Sequence, residues 1–239
     1  MSIIVTLEKA NKYFDDNSVL RDVNFDIEKG EFLSLVGPSG CGKSTLLRVL
    51  LGFEKLDHGK MTIEPNLKKT LVFQNFALFP WLTVFENISF GLKMQGMPKV
   101  DIDRKVTDIL HELDLHGAQN LHPKELSGGM KQRVGLGRAL VMDPDILFLD
   151  EPFSAVDAFT ARDLRQKLLE IWEKRKITVV MVTHLIEEAI ELSDRVIVMS
   201  SDKNQDSIVE IYTNKLARPR DNRSKEFFNE VDFLETKIK

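Results

Sequence analysis

The stretch FLSLVGPSGCGKST, residues 32–45, decides the fold of this 239-residue chain. Its first five residues form a mostly apolar run of strand length, and the next six contain three glycines. Leucines then recur at helical spacing between Lys43 and Leu51. A strand therefore runs directly into a glycine-rich turn and a helix, which is the start of an α/β fold.

The glycine-rich turn matches the pattern G-x-x-x-x-G-K-[ST], which binds nucleotide phosphates when a strand precedes it and a helix follows. Its backbone N–H groups can approach an anion, Lys43 can reach the outer phosphates, and Ser44 can ligate Mg²⁺. An ordinary turn is the alternative, but the flanking strand and helix favour a phosphate loop. The candidate nucleotide-binding residues here are Gly37, Pro38, Ser39, Gly40, Cys41, Gly42, Lys43, Ser44 and Thr45.

The segment ILFLDEP, residues 146–152, is an apolar strand that ends in two carboxylates. The carboxyl ends of parallel strands meet at one edge of a sheet, so Asp150 and Glu151 are expected beside the phosphate loop. Asp150 suits a position just outside the direct ligands of a Mg²⁺ ion, and Glu151 can accept a proton from an attacking water. A solvated acidic pair is the alternative, but the upstream phosphate loop favours catalysis.

The octet LSGGMKQR, residues 126–133, combines a possible serine cap, two glycines and the start of a helix with an apolar face. The Ser127 hydroxyl and the first N–H groups of such a helix form a second place where an anion can bind. A simple helix cap is the alternative when the octet is considered alone.

This octet resembles the signature of the ABC ATPase family, and its place between residues 37–44 and 146–152 is the order found in that family. The resemblance extends from about Ile4 to Met199. It implies an α/β P-loop NTPase (RecA-like) core with an N-terminal antiparallel β-subdomain and an inserted α-helical subdomain. The expected boundaries are a nucleotide-binding core at 1–82 and 142–212, a helical subdomain at 83–141 and a C-terminal tail at 213–239.

The resemblance also implies roles for single residues outside the three motifs. Gln74 would contact Mg²⁺ and the attacking water and sense the membrane partner, and His184 would contact the γ-phosphate and keep that water in line. Asp157, in the segment SAVD, would communicate between two ATP sites. Tyr13 would stack on adenine. The alternatives are a structural histidine at a strand end, and a place for Tyr13 or its neighbour Phe14 in the core.

The resemblance further implies that two copies of the chain bind head to tail. Each ATP would lie between the phosphate loop of one copy and Ser127, Gly128 and Gly129 of the other. The physical reason is that the helical insertion separates the two anion sites of one chain. Lys43, Gln74, Glu151 and His184 are accordingly the expected catalytic residues, and Ser44, Gln74 and Asp150 the expected metal site.

Two segments point to a group of importers within the family. FALFPWLTV, residues 76–84, and ARPRD, residues 217–221, resemble segments of nitrate, sulfonate and taurine importers. The resemblance implies a membrane permease that docks at the aromatic segment, together with a substrate-binding protein, although core packing is the alternative for single side chains. The basic residues of the tail are expected to be solvated, with acidic lipid or a partner as the alternative: Arg218, Arg220, Arg223 and Lys225.

Composition limits the partners and the location. A net charge of −4 and a pI near 5.8 give no attraction to nucleic acid. The apolar runs are of strand length, and residues 1–10 lack the pattern of a signal peptide. We therefore expect a protein that is soluble when isolated and is bound peripherally at the cytoplasmic face of the inner membrane. Cys41 is the single cysteine, so an internal disulfide is excluded; its thiol is either reactive at a helix start or a small loop filler.

Other P-loop classes fit the sequence less well. A GTPase needs an Asn-Lys-x-Asp base reader, and the segment NKLA, residues 214–217, lacks the aspartate. A small-molecule kinase has no need of residues 126–133, and cassette proteins that act on ribosomes or DNA usually carry two cassettes. One departure from the family pattern is that Gly135 and Gly137 replace common alanines, which predicts a softer signature helix.

Overall fold

The computed structural model describes residues 2–202 and 204–238 and divides into two compact units. The first unit comprises Met1–Leu67 and Thr178–Lys239, and the second comprises Lys68–Ile177. In chain order the elements are β1 (Ile3–Phe14), β2 (Asn17–Glu28), β3 (Phe32–Val36), α1 (Lys43–Leu51), β4 (His58–Ile63), β5 (Lys69–Val72), α2 (Val84–Met94), α3 (Lys99–Glu112), a 3-10 turn (Pro123–Glu125), α4 (Gly128–Leu140), β6 (Ile146–Asp150), α5 (Ala158–Arg175), β7 (Thr178–Val182), α6 (Ile186–Leu192), β8 (Arg195–Met199), β9 (Ile208–Thr213) and α7 (Lys225–Glu235).

The first unit contains an antiparallel sheet of three strands in the order β2-β1-β4. Thr6 of β1 lies opposite Asp26 of β2 and Thr62 of β4. The short β-rich runs Ile3–Leu7 and Val23–Ile27 predict strands, and these are confirmed as parts of the longer strands β1 and β2. The sequence HGKMTI of β4 gave no strand prediction, because it has few apolar residues and its side chains are exposed or half-buried.

The same unit contains the parallel strands β7, β3 and β8, with β9 antiparallel to β8. Every residue of β3 and β7 is buried. Strands covered on both faces have mostly apolar sequences. The apolar runs Phe32–Val36, Thr178–Val182 and Arg195–Met199 therefore predict three buried strands, and the structure confirms all three spans as β3, β7 and β8. Strand β9 was not predicted, because it is partly exposed and its sequence IVEIYT is mixed.

The C-terminal segment packs within the first unit, to which it belongs. Residues 224–234 have weak helical character in the sequence, and the structure confirms a helix there: Ser224 accepts a hydrogen bond from the N–H of Phe227 (3.1 Å) and so begins α7. Buried residues of α6, α7 and the parallel strands form one apolar cluster: Val36, Ile186, Ala189, Ile190, Val196, Val198, Phe227, Val231 and Leu234.

The prediction of a solvated basic tail is wrong for two of its arginines. Arg220 Nη1 donates to the carbonyl oxygens of Ile190 (2.8 Å) and Ser193 (2.9 Å), at the end of α6. Arg218 pairs with Asp194. Burial, followed by the charge of Arg218, lowers the pKa of Arg220 to about 10. These guanidinium groups satisfy the last carbonyl groups of a helix, so neither a solvated tail nor a lipid contact describes them.

The second unit has a parallel pair, β5 and β6, with Leu71 opposite Phe148, and four α-helices among its described residues. Thr83 and Glu86 form a capping box at the start of α2, and the hydrogen bond from the Thr83 N–H lowers the pKa of the Glu86 carboxyl group. Five apolar residues between 102 and 113 recur at helical spacing, and the apolar face that this spacing predicts is confirmed, since all five are buried: Ile102, Val106, Ile109, Leu110 and Leu113. Across residues 2–202 and 204–238, no helix combines the length and apolar character that spanning a membrane requires.

The two glycines of α4 should respond differently to alanine. A methyl group at Gly135 would lie 3.5 Å from the Phe76 carbonyl oxygen, an ordinary contact. At Gly137 it would lie 3.0 Å from both Ile109 Cγ2 and Leu113 Cδ1, which is tight. We expect Gly135→Ala to raise the free energy of unfolding by about 0.5–1 kcal/mol through helix propensity. Packing strain should cancel or reverse that gain in Gly137→Ala. Urea denaturation of both variants measures the difference, and equal stabilisation would contradict this account.

Candidate functional site

The phosphate loop lies between β3 and α1 in the first unit, as predicted. Gly42 directly precedes α1 with φ 103°, a backbone conformation that side chains disfavour. A methyl group there would also lie 2.8 Å from the Val19 carbonyl oxygen. Only glycine therefore fits this position. The helix can begin immediately after the loop, and Ser44 is exposed on its first turn with Thr45 half-buried beside it.

Lys43 is buried by its own loop. Its ammonium group donates to the carbonyl oxygens of Gly37 (2.7 Å) and Pro38 (2.9 Å). Phosphate oxygens would give this ammonium stronger, charge-assisted hydrogen bonds than these carbonyl groups do. Cys41 is also buried, with Sγ 3.8 Å from Lys43 Nζ. That burial favours a loop filler over the reactive thiol that the helix start suggested.

Two further predicted residues of the first unit are accessible. The ring of Tyr13 is 39% exposed and contacts His58 edge-to-face, with the ring centroids 6.1 Å apart. Phe14 is similarly exposed, so the alternative of a core position is wrong for both aromatic residues. The Tyr13 N–H donates to Asp57 (2.7 Å), which lowers the pKa of that carboxyl group and holds the segment in place. His184 is exposed in the turn between β7 and α6.

The second unit brings together Gln74 and Glu151, which are 77 residues apart. Gln74 Nε2 donates to Glu151 Oε2 (3.0 Å) and to the Ser154 hydroxyl group (3.3 Å). Ser154 in turn donates to the Glu151 carbonyl oxygen (2.9 Å). Glu151 has φ 44°, an unfavourable conformation for a glutamate, and it directly follows Asp150 at the end of β6. Strained residues of this kind cluster at functional sites.

The signature segment begins helix α4. Ser127 is the N-cap, and its hydroxyl oxygen accepts a hydrogen bond from the Met130 N–H (3.2 Å). Ser127 and Gly128 are exposed, whereas Gly129 is buried. The cap and the anion site are compatible interpretations, because the exposed helix start still presents its partial positive charge to solvent.

Gly129 is buried against Thr160 of α5. A methyl group at Gly129 would overlap Thr160 Cγ2. Thr160 is held by Asp157, whose two carboxylate oxygens accept hydrogen bonds from the Thr160 N–H (3.0 Å) and hydroxyl group (2.7 Å). The backbone hydrogen bond from Thr160 is the main cause of the lowered pKa of Asp157. Asp157 and the signature segment are thus linked through a threonine that the sequence analysis did not single out.

Arg138 of α4 is a second residue that the sequence analysis missed. Its guanidinium group donates to the carbonyl oxygens of Ala77 (2.7 Å) and Phe76 (3.1 Å) and lies over the Phe79 ring. Burial lowers its pKa. Phe76 and Ala77 both have positive φ, so this arginine stabilises a strained aromatic segment. Phe79 is half-buried, whereas Trp81 is 70% exposed, and core packing therefore describes only part of the segment.

Comparisons with known proteins define the class of this site. The family model described as ABC transporter matches residues 20–154. The aliphatic sulfonates import ATP-binding protein SsuB of Bacillus cereus (strain ZK / E33L) is 43% identical over an alignment of 233 residues, and the alignment covers 93% of this chain and 91% of the relative.

Two solved structures are similar across most of the chain. One is cbiO1 from Clostridium perfringens, part of the ABC transporter complex cbiONQ, with a TM-score of 0.82, 25% identity and coverage of 99% of this chain and 94% of that one. The other is the ATP-binding cassette MJ0796, solved as a dimer with ADP and Pi in a post-hydrolysis state. It has a TM-score of 0.75 and 29% identity, and the match covers 90% of this chain and 100% of that one.

The fold and the comparisons define a P-loop ATPase of the ATP-binding cassette class, and the predicted fold class is confirmed. The chain belongs to the ABC transporter family, as the ATP-binding and ATP-hydrolysing subunit of an importer. The roles of individual residues in ATP binding and hydrolysis remain predictions.

Proposed function

We propose that this subunit powers the uptake of a small nitrate-, sulfonate- or taurine-like solute through a separate membrane permease. Two observations support this class of solute: the sulfonate import function in the name of the Bacillus cereus relative, and the aromatic segment at residues 76–84. The solute itself would be selected by the permease and by a substrate-binding protein. The subunit would work at the cytoplasmic face of the inner membrane, and its net charge of −4 argues against a nucleic acid partner.

The observation that carries the catalytic proposal is the hydrogen bond between Gln74 and Glu151. Glu151 would accept a proton from the attacking water, and Gln74 would orient both the carboxylate and that water. Such a positioned base contributes about 10²- to 10⁴-fold to the rate. Lys43 would leave its loop carbonyl groups to neutralise the phosphates, and His184 would contact the γ-phosphate.

Nucleotide and metal would be held by groups whose chemistry fits them. The residues of the phosphate loop, Gly37 to Thr45, would wrap the phosphates, and Tyr13 would stack on adenine. Ser44, Gln74 and Asp150 supply the oxygen ligands that Mg²⁺ prefers, and the metal would neutralise charge on the phosphates. Within residues 2–202 and 204–238, no group of three or more His, Cys, Asp or Glu could hold a metal by itself.

The active form would be a head-to-tail pair of two copies. Ser127 and Gly128, which are exposed at the start of α4, would bind the nucleotide of the partner copy. Gly129 is buried and lets the start of α4 pack closely on Thr160. The dimer of the related cassette with ADP and Pi supports this arrangement. Asp157, linked to Gly129 through Thr160, would pass changes between the two sites.

The permease would dock on the aromatic segment of the second unit. Trp81 is largely exposed and contacts Phe79, with the ring centroids 5.7 Å apart, while Arg138 fixes the backbone beneath. An exposed aromatic residue on a fixed support is typical of residues that dominate binding energy.

The test is to replace Trp81 by alanine in the assembled transporter. We expect the amount of permease that co-purifies from detergent-solubilised membranes to fall about tenfold, because the variant lacks an aromatic side chain that docking would bury. ATP binding by the isolated subunit should be unchanged. Phe228→Ala is the matched control, since Phe228 is an exposed aromatic residue of α7 in the other unit.

Uptake of labelled taurine, an alkanesulfonate and nitrate into cells then identifies the solute. Full uptake of a sulfonate by Trp81→Ala would refute the docking site. Uptake of none of these solutes by the unmodified transporter would refute the proposed solute class.

A further inference from the structure

One buried side chain, Thr183, holds the turn that contains His184. Thr183 follows β7 and is 1% exposed. Its hydroxyl group accepts a hydrogen bond from the Leu185 N–H (3.1 Å) and donates one to Glu188 Oε2 (2.7 Å). Its own N–H donates to the Leu35 carbonyl oxygen (3.1 Å). The backbone is thus held on both sides of His184.

These bonds connect the turn to the strand that carries the phosphate loop. Leu35 lies in β3, two residues before Gly37, and β3 pairs with β7 in parallel register, with Leu35 opposite Val182. The hydrogen bond from Thr183 continues that pairing one residue beyond β7. The backbone of residue 183 therefore ties one side of the turn to β3, and the Thr183 hydroxyl group holds the other side through Leu185.

Helix α6 is also held at its other end. Its N-cap, Leu185, has no capping side chain, but the Leu185 N–H, which the helix leaves without a partner inside the helix, donates to the Thr183 hydroxyl group. At the C-terminus, Asn214 and Arg220 both donate to the carbonyl oxygens of Ile190 and Ser193. A helix bonded at both ends and buried along one face provides a rigid support for the turn.

We infer that Thr183, supported by Glu188, is a positioning residue for His184. The inference rests on the proposed function, in which His184 contacts the γ-phosphate. Glu188 is itself buried (7% exposed), so its hydrogen bond with Thr183 forms away from water. Loss of the hydroxyl group would let the turn relax, and small displacements of a catalytic group cost rate even when substrate still binds.

The first test compares three variants of the full chain in steady-state MgATP hydrolysis. Thr183→Val keeps the shape and removes both side-chain hydrogen bonds, and we expect kcat to fall about tenfold while KM for ATP changes less than about twofold. Thr183→Ser restores the hydroxyl group and should stay within about twofold of the parent kcat. The control is Glu187→Gln, an exposed carboxylate on the same helix, which should change neither value.

A double-mutant cycle with His184→Ala then separates positioning from general destabilisation. In the His184→Ala background, Thr183→Val should cause no further loss of kcat, because it acts through the missing imidazole. An equal loss in both backgrounds, or full kcat in Thr183→Val, would overturn the inference. Full kcat in His184→Ala would instead refute the proposed role of His184.

Thermal unfolding checks that each variant folds. If Thr183→Val does not, Glu188→Gln replaces it in the same cycle, since it keeps the shape of the acceptor and weakens a charge-assisted hydrogen bond. The expected loss of kcat is then about threefold, again absent in the His184→Ala background. An unchanged kcat in Glu188→Gln would count against the inference.

Discussion

Replacing Glu151 by glutamine is expected to lower the turnover of MgATP by about 10²- to 10⁴-fold, because an amide cannot take the proton of the attacking water. Glutamine has nearly the shape of glutamate, so binding of MgATP should persist. Without hydrolysis, the two copies should remain together around the nucleotide. Phosphate release measures the first effect, and size-exclusion chromatography with and without MgATP measures the second.

The control for this experiment is Glu173→Gln, which changes an exposed carboxylate of α5 in the same unit. Its turnover and its elution volume should equal those of the parent protein. Unchanged turnover in Glu151→Gln would remove Glu151 from the role of base. Loss of MgATP binding would instead point to a structural role for its contacts with Gln74 and Ser154.

Gly129→Ala is expected to lower MgATP turnover by about 100-fold, the cost of displacing a catalytic element by about 1 Å. The added methyl group would overlap Thr160 Cγ2, whereas the next nearest atom, Thr160 Cβ, lies at 3.7 Å. Either the start of α4 moves away from α5, or the Thr160 side chain rotates and loses its hydroxyl hydrogen bond to Asp157. Turnover and the urea midpoint of unfolding should both fall.

A second substitution tests this cause directly. Thr160→Ser removes the methyl group that overlaps and keeps the hydroxyl group that donates to Asp157. We expect Gly129→Ala combined with Thr160→Ser to regain the urea midpoint and turnover to within about tenfold of the parent. Regained stability without turnover would mean that glycine is needed at the phosphate itself. Gly135→Ala serves as the control, because it adds a methyl group to α4 in an ordinary contact.

Much of the fold was predictable from residue patterns. Strands β3, β7 and β8 are short apolar runs, because a parallel sheet buries both of its faces, and α1 shows helical spacing directly after a glycine-rich turn. Strands β4 and β9 escaped prediction because their mostly exposed or half-buried side chains leave no apolar pattern. Arg218 and Arg220 were misinterpreted for a related reason. Charge alone cannot tell a solvated arginine from one that binds the carbonyl groups at a helix end.

The candidate site likewise contains residues that the sequence predicted and residues that only the structure revealed. The phosphate loop was recognised because its backbone geometry needs glycines at set intervals, and the resemblance added Gln74, Asp157 and His184. Nothing local marks Thr160, Thr183 or Arg138. Thr160 contacts Gly129 through one methyl group, and Arg138 donates hydrogen bonds to residues distant in sequence. Thr183 bonds Leu185 only because its side chain points into the turn.

What residue order alone determines is the local pattern from which chemistry is predicted: a glycine-rich turn suited to phosphate, a strand that ends in carboxylates, and a helix start that presents serine and glycine. Which groups meet is a property of the folded chain. The contact of Gln74 with Glu151, the support of Gly129 by Thr160 and the bond from the Thr183 N–H to the Leu35 carbonyl oxygen arise only when distant segments pack together. Packing depends on side-chain direction and strand register, which no single segment specifies.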